Sequence, residues 1–117
     1  MRPDDPPARR EDYIRHIQDA VTQALDYVEG MDHATFLSDR RTQQAVIMNL
    51  IIMGEAATRL MMESPDFIEH HPDIPWRNMR GMRNRLAHGY FDLDLDLIWE
   101  TLCVSLPQLQ RQISELS

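Results

Sequence analysis

Cysteine occurs once, as Cys103, so no disulfide can form within the chain, and no N-terminal run joins a basic start to an apolar stretch. Nothing points to secretion, and a reducing cytoplasm is the expected setting. Nowhere do about 18 uninterrupted apolar residues occur, the length a membrane-spanning helix needs, so a soluble protein is expected. Glycine is scarce as well, at four residues, while hydrophobic residues make up 43% of the 117. That balance argues against a disordered chain or a turn-rich sandwich and for one helical globular domain. Basic residues are outnumbered, 12 against 19 acidic ones, for a formal net charge of -7. Sequence-independent clamping of duplex DNA rests on many cationic contacts to phosphates and is therefore disfavoured. Nucleic acid would be held locally, in one basic groove; pairing with a basic partner fits the same charge.

The pattern along the chain divides it into an arm and a bundle. Residues 1 to 9 hold three of the seven prolines and two aspartates, and a flexible arm is expected there, followed by one domain over residues 10 to 117. From Asp12 onward Ile14, Ile17, Val21, Leu25 and Val28 recur at three and four residues, which predicts a first helix ending near Gly30. A short turn over His33 to Leu37 leads to Ser38 or Asp39, either of which can cap a second helix running to about Met62. From Ala45 to Met53 this helix is apolar at every position but Asn49, so other helices or a second subunit must surround it. Gly54 in its middle costs up to about 1 kcal/mol of helix propensity, which predicts a close helix crossing. Pro65, Pro72 and Pro75 punctuate a loop with one turn around Phe67 to His70, and a third helix starts at Trp76. Phe91 to Leu97 alternates apolar residues with aspartate as a strand would, but aspartate suits a helix start better. The run Leu95, Trp99, Leu102, Leu106, Leu109, Ile113, Leu116 predicts a last amphipathic helix from Asp94 or Asp96, kinked at Pro107. The sum is an all-α bundle of four or five helices.

Within this acidic chain, the twelve residues from Arg77 to His88 carry four arginines and no acid. Arginine is a planar, permanently charged fork that fits phosphate, and histidine exchanges protons near neutrality. Phosphate grip and proton transfer together are what RNA cleavage requires. Arg83, His88 and Tyr90 form the frame R-x4-H-x-Y. Asn84 and His88, four residues apart, share a helix face, whereas Arg83 lies about 140° round from His88 and could meet it only across a bend or another chain.

The stretch from Pro75-Trp76-Arg77 through Tyr90-Phe91, continued by Asp94 to Glu100 and containing the core Arg83-Asn84-x-x-x-His88, resembles the HepT-type toxins of the HEPN superfamily. Met53-Gly54-Glu55-Ala56 is similar to that family's second helix, and the likeness extends from about Arg10 to the C-terminus. The resemblance implies a HEPN-type bundle, dimeric, with both R-x4-6-H motifs facing one cleft, and metal-independent endoribonuclease activity on single-stranded RNA or loops. It implies that His88 serves as general base or acid, that Arg83 holds the scissile phosphate, and that Asn84 orients the imidazole or the phosphate. The attacking group is the RNA's own 2′-hydroxyl, so no cofactor or metal is called for. It further implies a type VII toxin-antitoxin pair, in which an MNT-type nucleotidyltransferase antitoxin attaches adenylate to Tyr90. The alternative is a non-catalytic HEPN module that serves as scaffold for its nucleotidyltransferase partner.

Each of these residues also has a plainer reading. An arginine face is most often solvated, and a histidine is often a core residue bonded to a carbonyl. Tyr90 after a glycine could simply pack. Arg77, Arg80 and Arg85 flank the motif in numbers that suggest RNA contacts. Glu55, on the apolar second helix, could be a buried partner for one of these arginines. His70-His71 with Asp66, Glu69 and Asp73 lacks the spacing of a metal shell, since adjacent histidines diverge on any regular element. The eight methionines suit adaptable core filling.

Overall fold

The computed structural model describes residues 6–89 and 92–116, with side chains from Arg9 onward. The first helix, α1 (Pro6–Tyr27), starts earlier than the apolar stripe does. Proline is tolerated in a first turn because the amides there have no intrahelical acceptor, so Pro6 and Pro7 open the helix rather than block it. Pro6 to Arg9, expected in a flexible arm, are therefore helical; the rest of that arm lies outside the described residues. Arg9 reaches Glu63 at 3.4 Å, and Arg10 lies 5.0 Å over the Phe67 ring. Ile14, Ile17, Val21 and Ala24 form the buried stripe, and the chain turns at Gly30 with a φ of 78°.

A short helix α2 (His33–Ser38) precedes the long α3 (Arg40–Glu63). Each begins with an aspartate. The Asp32 carboxylate accepts from the Thr35 amide at 2.8 Å and that of Asp39 from the Thr42 amide at 3.0 Å. The Thr35 hydroxyl and amide hold the Asp32 carboxyl below its ordinary range, and the Thr42 amide and hydroxyl do the same for Asp39.

Helix α3 is the axis of the bundle, with α1 and α5 packed along it. Val46, Leu50, Met53, Ala57 and Leu60 are buried, and buried Asn49 donates to the Ala45 carbonyl at 2.9 Å. Its surround is incomplete within one chain: Met48 is 58% exposed and Ile52 38%. By length and composition α3 could cross a membrane, yet half of its most apolar window is buried inside the bundle. After α4 (Pro65–Glu69), helix α5 (Trp76–His88) starts with a buried Trp76 whose indole N–H donates to the His71 carbonyl at 3.0 Å.

The last rod settles the strand-or-helix conflict. Asp94 caps α6 (Leu95–Glu100) by accepting from the Leu97 amide at 3.1 Å, a π-helical turn spans Thr101–Ser105, and α7 (Leu106–Ser114) returns along α1. Pro107 explains the π turn. Its nitrogen carries no hydrogen and its ring would meet the carbonyl four residues back, so the chain widens by one residue and the Leu106 amide bonds to the Thr101 carbonyl. The kink expected at Pro107 thus takes the form of a local expansion of the helix.

Candidate active site

The site is set by one close approach. A Cβ placed on Gly54 would lie 2.2 Å from the Arg83 Cβ and 2.5 Å from the Met79 carbonyl oxygen, so α5 crosses α3 at a distance only glycine permits. This is the crossing expected from a glycine in the middle of an apolar helix. It presses the backbone of α5 at Arg83 directly onto α3.

Arg83 is consequently an inward-facing arginine, its side chain 23% exposed. One terminal nitrogen donates to the Thr58 hydroxyl at 3.1 Å; that hydroxyl in turn donates to the Gly54 carbonyl at 2.7 Å. The other terminal nitrogen lies 3.5 Å from a Glu55 carboxylate oxygen, and the buried Nε has no hydrogen-bond partner. A guanidinium has five N–H groups, so after these contacts it retains donors for an anion. Glu55 does pair with one of the arginines, as the sequence allowed, but it is not buried: it is 51% exposed and shared with Arg59 at 3.6 Å. The reason is its place on the rim of α3, one residue beyond Gly54, where the crossing leaves it open to solvent.

Thr58 was not legible as a site residue. Its only signal is its spacing, four residues after Gly54, which puts it on the same face one turn along. That face is where α5 crosses, and the hydroxyl lies directly under the guanidinium.

The remaining candidates occupy the outer side of α5. Asn84 and His88 are exposed, one turn apart, and Arg77, Arg80 and Arg85 are exposed along the same helix. Among the described residues none of these five side chains makes a hydrogen bond or ion pair within the chain. Asn84 and His88 therefore come together, while Arg83 is turned away from them toward α3. Tyr90 lies outside the described residues; the helix before it ends at His88 and is capped by Gly89, whose amide donates to the Arg85 carbonyl at 2.8 Å.

No three His, Cys, Asp or Glu side chains converge on a metal-binding point among the described residues. His70 faces the Asp66 carbonyl at 2.6 Å, whereas His71 packs on Phe67 at 4.6 Å between ring centres. The pair diverges, as adjacent residues on a helix end must.

Comparison with known proteins bears on most of the chain. A family model described as ribonuclease HepT-like matches residues 17–116. A "Probable ribonuclease HepT" of Thermococcus cleftensis is 36% identical over 106 residues, covering 91% of this chain and 94% of that protein. A "Putative RNase" of Caldanaerobacter subterraneus is 34% identical over 104 residues, covering 89% and 90% respectively. One of Methanocaldococcus jannaschii with the same description is 32% identical over 104 residues, covering 89% and 84%. No solved structure matches significantly.

Proposed function

The chain belongs to the HepT-like ribonuclease family, and from that membership together with the setting of Arg83 we propose that it is a metal-independent endoribonuclease toxin, acting in the cytoplasm on single-stranded RNA or loops. The observation that carries the reading is the division of labour around α5: an arginine fixed by Thr58 and Glu55 on one side, and on the other an exposed Asn84 and His88 with no partner among the described residues. A fixed arginine with spare donors suits the charge that gathers on a phosphate under attack. An unengaged imidazole suits proton transfer to or from the RNA's 2′ and 5′ oxygens. Asn84, one turn before His88, is placed to orient either group. Arg77, Arg80 and Arg85 extend the cationic surface along the strand. Purified protein should cut single-stranded RNA with EDTA present; complete dependence on added metal rejects the mechanism. Binding without cleavage would favour the scaffold alternative.

Because Arg83 and His88 look in different directions on one chain, the site is proposed to be completed by a second copy. Exposed Met48 and Ile52 lie on α3 within two turns of Glu55, and provide an apolar surface next to the Arg83 ion pair for that copy to cover. The protein should sediment at about twice 13.7 kDa. A monomer that cuts RNA at nanomolar concentration would rule out a shared cleft.

Control is proposed to act through Tyr90. A nucleotidyltransferase antitoxin of the MNT type, with magnesium, transfers adenylate from ATP to its hydroxyl and releases pyrophosphate, and the anionic adduct, two residues from His88, competes with the RNA phosphate for the arginines. Intact mass should rise by about 329 Da per adenylate while cleavage is lost. Tyr90→Phe keeps the ring without the acceptor oxygen and should stay active in the partner's presence. Equal silencing of Tyr90→Phe by the active partner would mean inhibition by complex formation instead.

A further inference from the structure

Gly81 has no structural reason to be glycine. It lies in the interior of α5, where glycine weakens a helix, its φ is not positive, and a Cβ built on it meets nothing within 4 Å. Gly54 is explained by a helix crossing; Gly81 faces open space. Its position says what that space is. Arg77, Gly81, Asn84 and His88, at intervals of four, three and four, run along one stripe of α5, and Gly81 is also a wall of a cleft of ≈ 800 Å³.

The cleft exists because α5 rests almost wholly on α3 and stands clear of the C-terminal rod. Its floor is apolar and built from both sides, with Leu50 and Met53 of α3, Met79 and Met82 of α5, and Leu97 and Leu106 opposite. The π turn forms the far wall, bringing Thr101 and Ser105 to the cleft. Arg77 and Arg85 stand at the mouth against the single acid Asp73, and Asn78, Gln108 and Gln112 supply amides. A concave apolar site of this size with a few polar groups on its edge is the form of a small-ligand pocket, and π turns recur at such sites. The occupant must be flat and apolar on its faces, polar at its edges, and joined to a negative charge that meets two arginines. A nucleotide has that chemistry. Single-stranded RNA is read by bases splayed from the stack, and methionine thioethers lie favourably against aromatic rings.

We propose that this cleft holds the nucleobase next to the scissile phosphate, with Arg77 and Arg85 on its phosphate, and that position 81 is glycine so that the RNA backbone can cross α5 between Asn84 and the cleft. The proposal rests on the ribonuclease reading and adds to it the part of the protein that chooses the sequence cut.

The test uses three variants of the full chain. Gly81→Ala should raise Tm by a few degrees, because it removes the helix penalty without a clash. Gly81→Leu closes the cleft from α5 and Ser105→Leu closes it from the π turn. Equilibrium dialysis against each of the four nucleoside 3′-monophosphates should find at least one bound by the wild type, and about tenfold or more weaker in both leucine variants, a loss on the scale of one stacked base. With single-stranded RNA, KM should rise by a similar factor with kcat changed far less. Nucleotide binding and KM left unchanged in both variants, while the wild type still cuts RNA, would overturn the pocket and leave the ribonuclease reading intact. Conversion to a monomer by Gly81→Leu would also overturn it, assigning Gly81 to a contact between chains. Nucleotide binding that both leucine substitutions abolish, in a protein that cuts no RNA, would uphold the pocket and reject the ribonuclease reading.

Discussion

His88→Ala and Arg83→Ala should each slow cleavage of single-stranded RNA by at least about 100-fold, the scale on which a general acid-base group or a charge-stabilising donor acts. The two substitutions are clean for different reasons. His88 is exposed and has no partner in its own chain among the described residues, so its loss should leave thermal unfolding unchanged. Arg83→Ala keeps the Cβ that packs against Gly54, so the crossing of α3 and α5 should survive. Glu55 keeps Arg59 and half-exposure to water, so no buried charge is stranded. Arg83→Lys should fail nearly as badly as alanine, because one ammonium cannot reproduce a planar fork that bonds Thr58 and a phosphate at once. Cleavage rates measured with EDTA decide the matter. Variants as active as the wild type would place the chemistry elsewhere.

Gly54→Ala should destabilise the fold, although alanine is the better helix former. The new methyl gains about 1 kcal/mol of helix propensity. It also has to occupy a point 2.2 Å from the Arg83 Cβ and 2.5 Å from the Met79 carbonyl oxygen. Neither obstacle is the free end of a flexible chain, so the two helices must part along their contact. Overpacking of this kind costs about 1–3 kcal/mol where side chains can adjust, and more where backbone must move. A net loss of about 2 kcal/mol is expected, seen as a fall in Tm of roughly 10 °C for a domain of this size. RNA cleavage should fall further than stability does, since the displaced helix carries Arg83 away from Thr58. A Tm equal to or above that of the wild type would mean that the helices do not cross so closely.

Helix α3 shows how far a sequence can be read here and where it stops. Its cap at Asp39, its apolar run and the crossing at Gly54 were all local signals, because caps, periodicity and a costly glycine express themselves within a few residues. Glu55 and Thr58 sit in the same helix, yet only the pairing of Glu55 with an arginine is a local inference; its exposure and the place of Thr58 under the guanidinium are not. Whether a carboxylate in an apolar run is buried depends on how far the crossing helix covers it, and that is fixed by α5, some thirty residues on in the chain. The same holds for Pro107: its inability to donate predicted a kink, but the choice of a π turn followed from keeping Leu102, Leu106 and Leu109 all in the core. The prolines of residues 1 to 9 disfavour helix in general, whereas the position of Pro6 and Pro7 in a first turn removes the objection.

By itself, then, the sequence determined an all-α bundle, its main helices and the arginine-rich segment with Asn84 and His88 on one face, because spacing along a helix translates directly into direction. Its resemblance to the HepT-type toxins carried the family. Only the tertiary structure decided that Arg83 points into α3 under the hold of Thr58, and that α5 and the C-terminal rod stand apart to leave a cleft. Both depend on where helices distant in sequence come to rest against each other. That is settled by packing over the whole bundle, which no local window contains.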